Sequence, residues 1–372
     1  MIGFEALLDG WDGETAVIRR DRPTGGWIFV CVHSTRRGPA GGGTRLKVYA
    51  SPGEGLADAM RLSEAMTRKL AVAGLPFGGG KGVIAVPEIP GGQRRRELFE
   101  RYGDLVESLG GTYRTSSDMN TGEADMDVVW ERTRYVFGRS VGAGGAGSPA
   151  PPTAVGVFHG IRASVAEVYG SGDLGGRVIL LQGAGGVGLH LAGLLGDAGA
   201  SVLVADVDRD RAEAAAARAG GEVVAAEQAL DAGCDVFSPC AVGGLLSTES
   251  ASRLSCRIVA GSANNQLADL GAADALRARG ILYAPDFVVN AGGAIAVVGL
   301  EQLEWSEGKL DAALSGIGDT LRAIYREADL RDTSTAAAAE AVVQQRLRCP
   351  AAPRPAGDPV GLQHHACVQR PG

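Results

Sequence analysis

Residues 177–206 contain an apolar strand, a glycine-rich turn, a helix and a second apolar strand, in that order. The first strand is RVILLQ, the turn is GAGGVG, and the second strand, ASVLVAD, ends at Asp206. This order predicts a βαβ unit, in which two parallel strands are connected by a helix that covers the sheet. Such a unit needs further strands and helices to bury its apolar faces, so this part of the chain is predicted to be an α/β domain.

Further strands are predicted at 234–239, 257–262 and 281–286, separated by alanine-rich helices. This alternation is typical of a parallel sheet covered by helices. Upstream, two strands within 14–35 and helices at 53–74 and 93–109 form a mixed region, and a Gly/Pro-rich stretch at 142–153 resembles a linker. We therefore expect two α/β domains, at residues 1–140 and 150–314. Residues 310–348 are predicted to be helical, and the proline-rich tail 349–372 is predicted to be disordered.

The length and charge of the chain limit what it can bind. A chain of 372 residues suits two domains, and a net charge of −7 without a long Lys/Arg block argues against a nucleic-acid partner. Its six cysteines form no C-x-x-C pair, so no metal site is expected. The N-terminal residues do not resemble a signal peptide, and the longest apolar runs are too short to span a membrane. A cytoplasmic location away from membranes is the expectation.

Gly183, Gly185 and Gly188 form a G-x-G-x-x-G pattern between a strand and a helix, with Gly186 and Val187 inside it. In this context the pattern predicts a dinucleotide site, because the glycines let the backbone approach a pyrophosphate at the helix N-terminus. Asp206 would accept hydrogen bonds from the ribose hydroxyls and repel a 2′-phosphate, which favours NAD as the cofactor. Two alternatives remain. Arg209 and Arg211 could favour NADP, or the glycines could serve only for tight packing.

Two lysines and an aspartate are candidates for chemistry. The segment GGGKG at 78–82 is not a phosphate-binding loop, because that motif would need glycine at 75 and a hydroxyl at 82. Lys81 is instead interpreted as a catalytic amine held in a glycine-rich loop. Lys69 lies on the flank of the apolar stripe of the 53–74 helix, where it could reach a cleft or extend into solvent. Asp118 lies in a polar loop without the calcium-binding pattern, and it could be a capping or a catalytic residue.

Several segments, in order and spacing, resemble the leucine/valine/phenylalanine dehydrogenase family. They are GPAGGGTR, RKLAVAGLPFGGGKGVI, TSSDMNTGEADMD, QGAGGVG, GSANN and YAPDFVVNAGGAI, and the resemblance extends over about residues 10–345. Within the family the segments look most like those of the phenylalanine dehydrogenases, with the valine dehydrogenases next.

The resemblance implies an N-terminal substrate domain, a Rossmann domain, and a helical return of residues 315–348 to the first domain. It also implies a homo-oligomer, a dimer or larger, built through the substrate domain. Lys69 would bind the substrate carboxylate, Lys81 would be the catalytic lysine, and Asp118 would pair with it and handle the amino-group proton. The cofactor would be bound by the glycine motif, Asp206 and five further residues: Thr153, Cys240, Ala241, Asn264 and Asn290.

The implied reaction is the NAD-dependent, reversible conversion of an L-amino acid to its 2-oxo acid and ammonia. Lys69 is expected to supply the cation that lowers the pKa of Lys81. Positions implied to contact the substrate are Gly42, Asn290 and a side-chain pocket of small and medium residues: Gly41, Ser116, Ala294 and Val297. Because this pocket looks roomy, a bulky, phenylalanine-like side chain is predicted. The alternatives are a branched-chain (leucine/valine) dehydrogenase, a glutamate dehydrogenase, and a catalytically silent relative that binds NAD or an amino acid.

Overall fold

The structure is a computed structural model that describes residues 4–269 and 271–348. The chain divides into two compact units, which are described separately. Within the described residues, the first comprises 4–147, Val297–Trp305 and 343–348, and the second comprises Ser148–Ala296 and Ser306–Val342. The tail at 349–372, predicted to be disordered, lies outside the described residues.

The first unit contains a five-stranded sheet and four α-helices within the described residues up to Gly147. Its elements are α1 (Phe4–Asp9), β1 (Thr15–Asp21), β2 (Gly26–Ser34), β3 (Ala40–Lys47), α2 (Pro52–Val72), β4 (Gly78–Ala85), α3 (Gly92–Ser108), β5 (Tyr113–Ser117) and α4 (Glu123–Trp130). The strand order is β1-β2-β4-β3-β5. β1 and β4 run antiparallel to β2, whereas β3 runs parallel to both β4 and β5. The predicted strands within 14–35 and the helices near 53–74 and 93–109 are confirmed.

Alternate side chains of β2 enter different cores, as expected for a strand covered on both faces. Ile28, Val30 and Val32 belong to a cluster that includes residues of α3 and α4. Phe29 and Cys31 belong to a second cluster, with residues of α2. The central strand β2 is therefore covered by helices on both faces.

The two glycine-rich segments of this unit are strands, although the sequence predicts a loop for the second. All eight residues of β4 are buried. A Cβ at Gly79 would overlap the backbone nitrogen of Thr67, so α2 lies directly against β4 at this point. The glycines allow close packing of a helix on a strand, and Lys81 is consequently held in a central strand.

The second unit is built on a six-stranded sheet whose paired strands are all parallel. Its elements are α5 (Ala150–Tyr169), β6 (Val178–Gln182), α6 (Gly186–Asp197), β7 (Ser201–Ala205), α7 (Arg209–Ala219), β8 (Glu222–Val223), β9 (Val236–Pro239), α8 (Thr248–Arg253), β10 (Ile258–Val259), α9 (Ala272–Ala278), β11 (Leu282–Tyr283) and α10 (Asp286–Val289). The strand order is β11-β10-β9-β6-β7-β8. β6 lies between β7 and β9, where the strand order reverses, and the predicted parallel α/β sheet is confirmed.

The remaining helices are α11 (Gly292–Gln302), α12 (Glu307–Arg331) and α13 (Thr335–Arg348). They confirm the helical prediction for 310–348, with a break where Asp332 adopts a left-handed conformation (φ 53°). None of the helices in the described ranges is long and apolar enough to cross a membrane. In the same ranges, no group of three or more His, Cys, Asp or Glu side chains is placed to hold a metal ion.

The division of the C-terminal helices differs from the expected return of residues 315–348. Of residues 315–348, only 343–348 belong to the first unit. There Arg346 donates to the Val72 carbonyl, and Arg37 Nη1 donates to the Arg346 carbonyl at 2.8 Å. Residues 306–342 belong to the second unit. The reason is that α12 buries an apolar stripe against α5, where Tyr325 also forms a 2.8 Å hydrogen bond with Ser164.

Candidate active site

Lys81 and Asp118, which are 37 positions apart in the sequence, form a close ion pair in the first unit. Lys81 projects from the central strand β4 and is 4% exposed. Asp118 directly follows β5, and its Oδ2 lies 3.2 Å from Lys81 Nζ. β3 pairs in parallel with both β4 and β5, so the sheet itself sets the positions of the two groups. The predicted pairing of these two residues is present in the structure.

Arg45, on β3, is a second cation at Asp118 and was not predicted from the sequence. Its Nε lies 2.9 Å from Asp118 Oδ2, and its Nη1 lies 2.9 Å from Asp58 Oδ2. Asp58, on α2, also accepts hydrogen bonds from Tyr49 (2.7 Å) and Arg61 (2.6 Å). The sequence feature that could have pointed to Arg45 is its position in GTRL, a segment that otherwise has the composition of a buried strand.

The electrostatics of this cluster favour an ionised Asp118 and a lysine that loses its proton easily. Burial lowers the pKa of Lys81, Asp118 opposes this effect, and Arg45 lowers the pKa further. Burial alone would raise the pKa of Asp118, but Lys81 and Arg45 together hold it below its ordinary value. Arg45 therefore supplies a cation that lowers the pKa of Lys81. The same contribution from Lys69 stays a prediction.

Lys69 lies in the last turn of α2 and is half-buried. Arg61 and Arg68, on the same helix, have side chains that are 53% and 43% exposed, so they mark the side of α2 that faces solvent. Lys69 therefore lies between the buried stripe and the exposed side of α2. This placement is compatible with a role in a site, and its contact with a substrate carboxylate stays a prediction.

The space at Gly41, one position predicted for the side-chain pocket, is more closely bordered than the sequence suggests. A Cβ at Gly41 would lie 3.4–3.6 Å from Leu70, Phe77 and Phe137, which is ordinary contact distance. Three apolar side chains thus stand directly in front of Gly41. The neighbouring Gly42 accepts a hydrogen bond from Tyr113 through its carbonyl (2.7 Å).

The other positions predicted for the side-chain pocket are found on two elements. Ser116 is half-buried on β5, the strand next to β3. Ala294 and Val297 are three residues apart on α11, and they belong to the second and the first unit, respectively.

In the second unit, the glycine motif follows β6 and starts α6. Gly185 is the N-cap residue, and among the described residues no side chain caps this helix end. Gly186 and Val187 are the first two residues of the helix. A Cβ at Gly188 would overlap the carbonyl oxygen of Gly183, so only glycine allows this tight turn into the helix. The N–H groups of the first turn therefore remain available to a negatively charged group.

Asp206 directly follows β7 and faces the same glycine turn. Its carboxylate accepts hydrogen bonds from the backbone N–H of Ala184 (2.7 Å) and of Asp208 (2.8 Å). These bonds hold the carboxylate at the carboxyl end of the sheet, which is where parallel α/β sheets bind their ligands.

Asn264 and Asn290, both predicted to lie near the cofactor, contact each other. The Asn290 side chain is nearly buried (5% exposed) and donates to Asn264 Oδ1 at 2.9 Å and to the Ser262 carbonyl at 3.1 Å. The buried Oδ1 of Asn290 has no hydrogen-bond partner within the described part of the chain. A buried acceptor without a partner suits a ligand that brings an N–H donor, as the carboxamide of a nicotinamide does.

The remaining predicted cofactor residues border the same sheet or the start of α5. Cys240 follows β9, accepts a hydrogen bond from the Ser262 backbone (3.5 Å), and has a thiol whose pKa is raised by burial. Ala241 packs against Gly183 of the glycine turn. Thr153 lies in the first turn of α5 and donates to the Pro149 carbonyl at 2.7 Å. The uncapped helix end and the unpaired Asn290 oxygen fit a dinucleotide with a nicotinamide group.

Comparisons with known proteins agree with this arrangement. Residues 22–135 match the family described as Glu/Leu/Phe/Val dehydrogenase, dimerisation domain, and residues 203–348 match the family Glutamate/Leucine/Phenylalanine/Valine dehydrogenase. A leucine dehydrogenase of Thermoactinomyces intermedius is 38% identical over 91% of this chain and 92% of its own length. A valine dehydrogenase of Streptomyces coelicolor is 42% identical over 92% of this chain and 94% of its own length.

The solved structure of L-tryptophan dehydrogenase from Nostoc punctiforme is similar, with a TM-score of 0.79 and 34% identity over 93% of this chain and 98% of that one. Glutamate dehydrogenase from Plasmodium falciparum shares the fold, with a TM-score of 0.75 at 18% identity over 91% of this chain and 83% of that one. On these grounds the chain belongs to the glutamate/leucine/phenylalanine/valine dehydrogenase family, and it is an amino acid dehydrogenase.

Proposed function

We propose that the protein catalyses the NAD-dependent, reversible oxidative deamination of a branched-chain L-amino acid to its 2-oxo acid and ammonia. The observation that carries this proposal is the buried Lys81–Asp118 pair, in a chain similar over nine-tenths of its length to leucine and valine dehydrogenases. The intact pair also favours an active enzyme over a silent binding protein.

The residues of the first unit suit the proton transfers of this reaction. Lys69 would bind the substrate carboxylate, and Asp118, which is ionised, would accept a proton from the substrate amino group. NAD, when bound, supplies the hydride acceptor. Lys81 in its neutral form would take a proton from the water that adds to the substrate imine, and would return it as ammonia leaves. The lowered pKa of Lys81 makes its neutral form accessible nearer to neutral pH.

The surroundings of Asp206 support NAD in preference to NADP. Its carboxylate is held beside the glycine turn, where a 2′-phosphate would meet a negative charge. The two arginines that could favour NADP are exposed and paired with other residues, Arg209 with Glu213 (2.8 Å) and Arg211 with Asp208 (3.2 Å). Both would have to leave these partners to bind a phosphate.

The contacts at Gly41 support a branched aliphatic substrate over the phenylalanine-like one predicted from the sequence. Leu70, Phe77 and Phe137 already border the space in front of this glycine, so less volume is open than the residue sizes alone suggest. An aromatic substrate is the second candidate. It is favoured by the small residues at 41, 116 and 294 and by the similarity to a tryptophan dehydrogenase.

The test is a panel of L-amino acids with NAD, followed by the absorbance of NADH, and the reverse reaction with the matching 2-oxo acids and ammonium. We expect leucine, isoleucine and valine to give the highest kcat/KM. Phenylalanine or tryptophan ranking first would replace the proposal with the aromatic candidate, and glutamate ranking first would contradict both. Absence of turnover with every member would indicate the silent relative.

Two further properties stay predictions. A homo-oligomer, a dimer or larger, is supported by the match of residues 22–135 to a family described as a dimerisation domain. The expected cytoplasmic location rests on the sequence alone.

A further inference from the structure

Two cations meet at one oxygen of Asp118. Lys81 Nζ lies 3.2 Å and Arg45 Nε lies 2.9 Å from Asp118 Oδ2. The Arg45 side chain is 16% exposed, so this contact is only weakly screened by solvent. Lys81 takes part in the proposed proton transfers, whereas Arg45 has no role assigned in them.

Arg45 is anchored on its far side by Asp58. The Arg45 Nη1 lies 2.9 Å from Asp58 Oδ2, and the Asp58 side chain is 14% exposed. The planar guanidinium therefore bridges two carboxylates through two different nitrogens, which a lysine ammonium could not do with the same geometry. Charges alternate along the cluster: Lys81, Asp118, Arg45 and Asp58.

We propose that Arg45, anchored by Asp58, is a positioning residue that holds the Asp118 carboxylate against the Lys81 amine. Asp118 follows the end of β5, where the ladder to β3 stops, so its side chain depends on such a contact for its orientation. The inference rests on the proposed function, because the orientation matters only if Lys81 and Asp118 exchange protons with a substrate.

The same contact makes Arg45 part of the charge environment of Lys81. The charged groups that act on Lys81 include Asp118 after β5, Arg45 on β3 and Asp58 on α2. Lys69 also lies on α2, and Cys31, beside Lys81 on β2, is neutral because burial raises its pKa to about 12. Removing the cation at 45 should raise the pKa of Lys81, so that a higher pH is needed for its neutral form.

The experiment compares Arg45→Gln and Arg45→Lys with the wild-type enzyme in kcat and in the pH profile of kcat/KM for deamination. For Arg45→Gln we expect kcat to fall at least about tenfold. The acidic limb of the kcat/KM profile should shift to higher pH by about one unit. Arg45→Lys should return the acidic limb most of the way to its wild-type pH, because it restores the positive charge. It should recover kcat only in part, because it cannot bridge both carboxylates.

The matched control is Arg61→Gln, which removes the other arginine that contacts Asp58. Arg61 is 53% exposed, so its loss should move the limb by less than about 0.2 pH units. A merely structural role for Arg45 would lower stability and leave the limb in place. That result, or an equal shift in the Arg61 variant, would overturn the inference.

Two further measurements cover the remaining outcomes. If Arg45→Gln does not fold, Asp58→Asn releases the anchor and keeps the cation. Its kcat should fall without a shift of the acidic limb to higher pH, and an unchanged kcat would contradict the inference.

If the wild-type chain oxidises no amino acid, the proposed function fails. The pH dependence of Lys81 acylation, measured by mass spectrometry, can then still be compared between the wild type and the arginine variants. An upward shift in Arg45→Gln would support the assignment, and equal profiles would reject it.

Discussion

At the scale of single residues, Lys81 carries the proposed base chemistry. We expect Lys81→Ala to lower kcat by at least about 10²-fold, the scale at which a general base contributes. NADH binding should persist, because the proposed dinucleotide site is formed by residues of the other unit. Steady-state kinetics and an NADH fluorescence titration measure the two effects. Lys309→Ala, an exposed lysine on α12, is the control and should change neither. A Lys81→Ala enzyme with normal turnover would remove this residue from the mechanism.

Asp206 is the residue expected to decide between the two nicotinamide cofactors. Asp206→Asn keeps a hydrogen-bond acceptor for the glycine turn and removes the negative charge that a 2′-phosphate would meet. The ratio of kcat/KM with NAD to that with NADP should fall by roughly tenfold, which corresponds to about 1.4 kcal/mol. The ratio is measured on the wild type and the variant in the same buffer. A wild-type enzyme equally active with both cofactors would show that Arg209 or Arg211 dominates instead.

At the scale of elements, the contact between α2 and β4 depends on a residue without a side chain. Gly79→Ala forces the helix away from the strand, because the added methyl overlaps the Thr67 backbone. We expect the free energy of unfolding to fall by roughly 1–3 kcal/mol, with a loss of activity, since Lys81 is two residues away. Chemical denaturation of purified variants measures the change.

The control for that substitution is Gly316→Ala, in the long helix α12. A Cβ at Gly316 has no neighbour within 4 Å among the described residues, and the position is helical. It should stabilise the protein by about 0.5–1 kcal/mol, because alanine loses less conformational entropy than glycine in a helix. Equal effects of the two substitutions would contradict the close packing at Gly79.

At the scale of the whole molecule, we expect a homo-oligomer. Residues 22–135 match a dimerisation domain, so light scattering during size-exclusion chromatography should give at least twice the chain mass of 38.1 kDa. The mass should persist on dilution to the concentrations used for kinetics. A mass of one chain at every concentration would contradict this prediction and leave the proposed chemistry unaffected.

Much of the second unit could be predicted from the sequence, because its signals are local. The apolar runs of β6 and β7, the glycine turn and Asp206 lie within 30 residues of chain, and each specifies its structure through near neighbours. The helical period of α2 and the candidate pair Lys81 and Asp118 were likewise visible, the pair through the family resemblance.

Tertiary packing alone decided the rest, because the same residue type serves different purposes in different surroundings. A glycine run is compatible with a loop or with a strand, and only the closeness of α2 makes β4 a buried strand. The contact of Arg45 with Asp118 joins residues 73 positions apart, so no periodicity in the chain could show it. The space in front of Gly41 is likewise set by Leu70, Phe77 and Phe137, and their approach to this glycine depends on how the strands and helices pack.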